Sequence, residues 1–306
     1  MLKLSLDALE ILDAIDRHGS FAAAGKEKFR VPSTISYSVG KLEADLGVQL
    51  FDRVGPKVTL TLAGRELLKE GRHLLRAAGD LERRVRRVAS GWETELVLCL
   101  DSLFSTLALQ PDIASFCAIA DQTRLRIIRE SLSGTWEALI QGRVDLLIGA
   151  PGAGPPGGGF TTQPLGSLAF VFAVAPEHPL AQIAHPLGKA ELHSHRAISV
   201  LDSGRTLPLR NVGLQFGQNT LAVGDMETKF HLQLAGLGFG FLPEPCARAA
   251  INAGLLIEKA VEEPKPDETF HLAWRTGEDG AALRWWINQM TNTQAINRLT
   301  RFNFPH

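Results

Sequence analysis

Leu60, Leu67, Leu74, Leu81 and Val88 recur every seven residues, and Gly64, Gly71, Ala78 and Val85 hold the complementary position of the same heptads. This repeat constrains the chain more than any other feature. It predicts one helix from Thr61 to about Ala89 with an apolar stripe that must be covered. Small residues in the second row let another helix approach closely. Two partners satisfy the pattern. One is the same helix of a second copy, with Leu67, Gly71, Leu74, Ala78, Leu81, Val85 and Val88 along a coiled-coil-like dimer seam. The other is the core of the helix's own domain. Ser90 and Gly91 end the helix and mark a boundary.

On either side of that helix the periodicity differs. Before it, Leu6, Leu9, Leu12 and Ile15 predict a helix over 5–18, stopped by Gly19. Ser20 caps a short helix rich in small residues, through about Lys28. Pro32 opens a third helix to Leu46, with Ile35, Val39, Leu42 and Leu46 as its core face and Gly47 as its exit. Leu50–Arg53 and Val58–Leu60, turned by Gly55 and Pro56, read as a two-stranded wing. After residue 92, strands at 95–101, 124–130 and 145–149 alternate with helices near 105–119 and 133–142, implying a parallel sheet. A Gly- and Pro-rich loop spans 151–159. Further strands follow near 168–175, 196–200, 220–223, 239–242 and 255–257, with a helix at 226–235 between Asp225 and Gly236. A strand at 270–275 and a helix at 281–290 come last.

Charge follows the same division. The whole chain carries −1, but residues 1–92 hold 16 Lys+Arg against 12 Asp+Glu, or +4, and residues 93–306 hold 16 against 21, or −5. A basic segment on an acidic remainder suggests a nucleic-acid module joined to another domain.

Other classes fall away. No apolar run approaches a membrane span, and Asp7, Glu10, Asp13 and Asp16 interrupt any signal-peptide core. Cys99, Cys117 and Cys246 lack CxxC spacing and read as buried free thiols of a cytoplasmic protein. The G-A-G-P-P-G-G-G stretch at 152–159 lacks the GK[ST] of a P-loop. His193 and His195 have no supporting ligand cluster. No catalytic constellation, metal site or cofactor motif stands out.

The order G-S-F-A-A-A at 19–24, V-P-S-T-I-S at 31–36, K-L-E at 41–43, D-L-G at 45–47, L-F-D-R at 50–53 and L-T-L-A-G at 60–64 resembles the winged helix-turn-helix of the LysR-type transcriptional regulators. The long helix, the α/β region and A-G-L-G-F-G-F-L-P at 235–243 resemble that family's linker helix and effector domain. The resemblance implies a multidomain α plus α/β chain. A winged helix-turn-helix DNA-binding domain would occupy 1–60 and a linker and dimerisation helix 61–92. A two-lobed, periplasmic-binding-protein-like effector domain would occupy 93–306, lobe one being about 93–165 and 270–296 and lobe two about 166–269. It implies a regulator and not an enzyme, binding double-stranded DNA at an inverted repeat and a small-molecule effector. A homodimer would assemble to a homotetramer and contact RNA polymerase. The rival reading is a small-molecule-binding protein or α/β enzyme with an accessory helical domain. Gly25, Lys28, Val31 and Pro32 depart from the family pattern, and Phe29 is expected to fill the core position beside Lys28.

In a helix-turn-helix the second helix reads the major groove from its first turns. Those turns present Ser33, Thr34, Tyr37 and Ser38, whose hydroxyls can donate or accept at base edges; Pro32 beside them brings no side-chain donor, and the resemblance implies for Ser36 a hydrogen bond to a phosphate or to the neighbouring helix. Tyr37 reads either as a DNA contact or as a ring under the wing. Lys41, Arg53 and Lys57 fit phosphates, which fix register without reading sequence; Arg53 also reads as an internal ion-pair partner. The run Arg83, Arg84, Arg86 and Arg87 reads as a solvated face or partner-helix ion pairs.

Ligands of parallel sheets bind beyond the C-terminal strand ends. That rule points to Asp101, Ser102 and Phe104, then Glu130, Ser131 and Ser133, then Pro151, and from the other lobe Leu201, Asp202 and Ser203. Two carboxylates at one rim favour a neutral, phenolic or amine-bearing ligand over a simple dicarboxylate.

Overall fold

The computed structural model describes residues 3–54, 57–210 and 217–301, without the side chains at 53, 54, 57, 83, 84, 86–90, 293, 295 and 296. The turn at Gly55 and Pro56, the side chains of Arg53, Lys57 and Val88, and the run Arg83, Arg84, Arg86 and Arg87 lie outside the described residues. The chain divides into two compact units, Met1–Ala89 and Ser90–His306.

The first unit comprises α1 (Leu6–His18), α2 (Phe21–Glu27), α3 (Pro32–Leu46), β1 (Phe51–Val54), β2 (Lys57–Leu60) and α4 (Leu62–Ser90). Ser5 caps α1 by accepting the Ala8 N–H, and Gly19, at φ 67°, returns its own N–H to Ile15. Ser20 caps α2 through the Ala23 N–H. Pro32 sits in the first turn of α3 and Gly47 closes it at φ 70°. β1 and β2 form the antiparallel wing, Phe51 opposite Leu60. The core gathers Ile11, Leu12 and Ile15, then Ala24, then Ile35, Val39 and Leu42, closed by Leu50, Phe51, Leu60 and Leu68.

Two local expectations fail here. Phe29 does not enter the core: it is 97% exposed and its backbone has φ 54°. The reason lies at Gly25, whose carbonyl accepts the Arg30 N–H at 2.8 Å. The chain doubles back so tightly that a Cβ on Gly25 would lie 2.7 Å from the Arg30 carbonyl oxygen. Lys28 is instead paired with Glu10 at 2.6 Å. Leu46, expected on the core face, is 38% exposed at the helix end.

The heptad stripe of α4 splits between two surroundings. Its first half packs on its own unit: Leu60 is in the core and Leu67 packs against it. A Cβ on Gly64 would come 2.1 Å from the Leu50 carbonyl oxygen, and one on Gly71 would meet the Leu9 side chain. Arg72 ties the same stretch to α1 through Asp13 at 2.8 Å and Asp16 at 2.9 Å. Further along, Leu74, Leu81 and Val85 are exposed and Ala78 is half-buried.

The second unit contains β3 (Glu95–Asp101), α5 (Gln110–Cys117), β4 (Arg124–Glu130), α6 (Ser133–Ile140), β5 (Leu146–Pro151), β6 (Phe160–Leu168), β7 (Phe170–Val174), α7 (Lys189–His193), β8 (Ala197–Val200), β9 (Thr220–Val223), α8 (Met226–Leu234), β10 (Gly240–Pro243), α9 (Glu244–Asn252), β11 (Ile257–Glu258), β12 (Glu268–Arg275), α10 (Ala281–Met290) and α11 (Thr293–Leu299). Lobe one is a five-stranded sheet in the order β4-β3-β5-β12-β6. β3 is parallel to β4 and β5, whereas β12 runs antiparallel between β5 and β6. In the other lobe β7 lies between β10 and β11, and β8 pairs in parallel with β9. The paired strands β6 and β12 end where the chain passes between lobes. Cys99 and Cys246 are buried as expected, but Cys117 is exposed, and all three are free. No helix among the described residues is long and apolar enough to cross a membrane.

A segment of lobe two, residues 201–210, lies across lobe one as a strap. The Ser203 hydroxyl bonds Glu130 at 2.6 Å and accepts the Ser131 N–H at 2.9 Å. The Ser133 hydroxyl donates to the Pro208 carbonyl. Buried Glu137 accepts the N–H groups of Arg205, Thr206 and Leu207 on one oxygen, Oε2. Burial alone would raise its pKa, but those bonds outweigh it and hold the carboxyl down at about 2.

Gly64→Ala is expected to destabilise the chain by about 3 kcal/mol, because the methyl meets rigid backbone. Gly40→Ala, with open space around the site, is expected to be neutral or to stabilise by up to about 1 kcal/mol. Thermal unfolding of both variants checks the pair. Glu137→Gln should speed hydrogen exchange at Arg205, Thr206 and Leu207. In the wild type the same protection, complete above the ordinary Glu range near 4.5, should be lost as pH falls through about 2.

Candidate functional site

The first unit presents α3 as a reading surface. Ile35, Val39 and Leu42 pin one face of the helix to the core. The opposite face therefore points outward at the helical interval. Pro32, Ser33, Thr34 and Lys41 are exposed, Tyr37 is 72% exposed, and Ser36 and Ser38 are half-buried. Tyr37 is thus not a ring tucked under the wing. It lines, with Ser38 and Lys41, a groove between α3 and the start of α1, where Lys3, Ser5 and Asp7 form the other wall. Phe29 and Val31, 97% and 62% exposed, flank the N-terminal turn of α3. The sequence reading assigned neither to this surface; the Gly25 fold-back puts them there.

In the second unit a cleft opens between the lobes. Its walls come from the C-terminal ends of β3 and β5, as parallel-sheet geometry requires. They also come from the residues after β4, from β7, β8, β10 and β12, and from the first turns of α8. Of the residues expected to line it, Asp101, Ser102 and Pro151 do. Phe104 is buried behind the cleft, edge-on to Phe270 with centroids 5.3 Å apart. Glu130, Ser131, Ser133, Asp202 and Ser203 are engaged in or around the strap, and Leu201 is 59% exposed outside the cleft lining.

Both carboxylates expected at the rim are already committed. Glu130 pairs with Arg143 at 2.7 Å besides bonding Ser203. Asp101 accepts the N–H groups of Leu103 at 2.9 Å and Leu132 at 3.2 Å. Burial raises Asp101 to about 7 despite those two bonds. The second bond holds Leu132 at φ 52°, a strained value for a leucine. Neither group is a free negative charge, so the expectation of a neutral or amine-bearing ligand loses its ground.

The positive groups are the ones the sequence reading missed. Lys229 of α8 is 7% exposed and lines the cleft. Burial, reinforced by Lys265, pulls its amine down to about 7. Its signal was present: Met226, Phe230 and Gln233 form the buried face of α8, and Lys229 falls on that face. Lys265 stands over the Phe170 ring, 3.2 Å from its centroid, and pairs with Glu268 at 3.2 Å. Arg210 of the strap reaches the same Glu268 at 2.6 Å. Phe170, Phe241, Phe270 and Met226 supply apolar wall.

His193 and His195 play no part in either surface. His195 packs against buried His178, centroids 5.3 Å apart. No cluster of His, Cys, Asp and Glu that could hold a metal occurs among the described residues.

Known proteins match this chain along almost its whole length. Residues 6–65 match the family described as bacterial regulatory helix-turn-helix protein, lysR family, and residues 89–295 match the LysR substrate binding domain. The uncharacterized HTH-type transcriptional regulator YeeY of Escherichia coli K12 is 39% identical over 295 residues, 96% of each chain. The HTH-type transcriptional regulator PunR of Escherichia coli K12 is 34% identical over 291 residues, 95% of this chain and 94% of that one. Among solved structures, full-length CbnR complexed with its target DNA has a TM-score of 0.55 at 18% identity, covering 94% of this chain and 99% of CbnR. The helix-turn-helix, the long helix and the two-lobed unit with its cleft thus have one common explanation: the chain belongs to the LysR family of DNA-binding transcriptional regulators, which pair a helix-turn-helix with an effector-binding domain.

Proposed function

We propose that this regulator reads an inverted-repeat operator as a dimer of α3 helices and senses its effector in the inter-lobe cleft. The observation that carries the reading is the outward face of α3. Ser33, Thr34 and Tyr37 are exposed there while Ile35 and Val39 hold the helix to its core. Ser33, Thr34, Tyr37 and Ser38 approach base edges beside Pro32; Ser36 bonds a phosphate or the neighbouring helix, with Lys41, Arg53 and Lys57 as phosphate partners. The structure of CbnR with its target DNA supports this use of the domain. A charge of only +4 over residues 1–92 gives modest non-specific attraction. Hydroxyl contacts and the doubling of half-sites supply the remaining affinity.

Dimerisation runs through the outer half of the α4 stripe, Leu74, Ala78, Leu81, Val85 and Val88. Leu67 and Gly71 act from within the unit and fix the direction in which α4 leaves it. Dimers pair into tetramers, and effector binding favours one arrangement of lobes and subunits, changing DNA bending and contact with RNA polymerase in the cytoplasm. Asp101, Ser102 and Pro151 form part of the effector site. Glu130, Ser131, Ser133, Asp202 and Ser203 act on it through the strap.

On duplexes selected by the full-length protein from a random pool, Ser33→Ala or Thr34→Ala should cost about 1–3 kcal/mol of binding and relax sequence preference. Arg53→Ala should weaken selected and random duplexes by the same factor and lower the salt slope by about 1. Equal losses on both duplex types for both classes of variant would overturn this division of roles. Leu81→Asp should shift the sedimentation profile at micromolar concentration to smaller species; an unchanged profile would remove α4 as the dimer contact.

A further inference from the structure

Among the positive side chains lining the cleft, Lys229 has no ionic partner. Lys265 is paired with Glu268, which also holds Arg210. Among the described residues no hydrogen bond or ion pair reaches the Lys229 ammonium, although the residue is 7% exposed. It lies against β10 at Gly240, where a Cβ would come 3.0 Å from Nζ. A second group in the same cleft is also unsatisfied. The Ser102 hydroxyl is buried with no hydrogen-bond partner, although the Ser102 backbone is fully used by Glu130, Arg129 and Met226. A buried hydroxyl without a partner, and an ammonium on a residue only 7% exposed with none among the described residues, are costly unless a guest completes them.

We propose that the cleft takes a small organic monocarboxylate, received by the Lys229 ammonium and the Ser102 hydroxyl, with its apolar body against Phe170, Phe241 and Phe270. This rests on the reading of the cleft as the effector site. A carboxylate offers several acceptor positions and one negative charge, which matches one unpaired cation and one hydroxyl. A neutral carbonyl would fill the hydrogen bonds and leave the charge. A dianion such as a phosphate would have to draw Lys265 or Arg210 away from Glu268, which holds both. Phe170, Phe241 and Phe270, with Leu103, Leu132, Val200 and Met226, give an apolar wall beside these two polar groups.

The groups around Lys229 bear on its protonation. Lys265 repels it, the Cys246 thiol lies near it, and Asp101 and Glu268 stand across the cleft. Glu262 and Glu263 line a neighbouring cavity that Lys229 also borders, Glu263 being paired with Lys189. With its amine pulled down to about 7, the empty site holds Lys229 only partly protonated at neutral pH. A bound carboxylate restores the proton, so binding takes up protons from the buffer.

The test uses the full-length protein and two matched pairs of probes, phenylacetate with phenylacetamide and hexanoate with hexanamide. Calorimetry in buffers of different ionisation enthalpy reads affinity and proton uptake. At least one acid should bind with net proton uptake near pH 8, and its amide at least tenfold more weakly. Lys229→Met keeps the apolar stem and removes the charge. It should lose acid binding by at least tenfold and melt at or above the wild-type temperature without ligand. Ser102→Ala should weaken the acids several-fold. Amides that bind as well as acids, acid binding by Lys229→Met within threefold of wild type, or no acid binding at all would overturn the carboxylate assignment. Val200→Trp, which fills the cleft, tests the underlying reading separately. A probe whose binding survives it binds elsewhere, which counts against the cleft itself.

Discussion

Buried and half-buried carboxylates that accept backbone N–H groups hold this molecule's loops and element ends in place. Glu43 receives the N–H groups of Leu50 and Phe51 at the approach to the wing. Glu93 receives those of Ala282 and Leu283 at the start of α10. Asp101 holds Leu103 and Leu132, Asp145 holds Val97, and Asp202 holds Gly204 and Arg210. Loops cannot satisfy their own N–H groups through a ladder, and a buried donor without a partner is costly. A charged acceptor makes the stronger bond. Part of the acidic excess of the second unit is therefore structural. In the cleft, Lys265 is paired with Glu268, while Lys229 has no ionic partner among the described residues.

The stripe of α4 illustrates how one repeat can serve two surfaces in succession. Leu60 and Leu67, with Gly64 and Gly71 beside them, lock the helix to the unit that carries α3. The Arg72 pairs with Asp13 and Asp16 hold the same junction from outside. Only beyond this point does the stripe emerge, at Leu74, Leu81 and Val85. The direction in which the helix starts is thus set by packing around Leu9 and Leu50.

Much of this was legible in the residues. Caps at Ser20 and Asp225, glycine exits at Gly19, Gly47 and Gly236, and the apolar alternation at β3 to β5 each carry local signals, and local signals place elements well. The antiparallel strand β6 was hidden because Pro164 and Gly166 lie within it. It is the last strand of its sheet, where a proline is tolerated. The heptad was read correctly as one helix, but periodicity does not say what covers a stripe, and the glycines proved to face Leu9 and the Leu50 carbonyl. The cleft residues divide by range. Asp101, Ser102 and Pro151 follow from strand ends, a local rule. Lys229, Lys265 and the three phenylalanines come from α8, β7, β10, β12 and the loop before β12, which only the tertiary fold brings together. Residues chosen by the same local rule, Glu130, Ser131 and Ser133, were claimed by a segment some seventy positions away.

Glu137 gives the strap a mechanical character. Three successive N–H groups converge on its single oxygen Oε2. Bonds that share one acceptor atom do not yield one after another as a zipper does; moving that atom breaks them together. The edge of the unit closed by residues 201–210 is therefore latched rather than sprung. Withdrawing or neutralising that one oxygen leaves all three N–H groups without it at once.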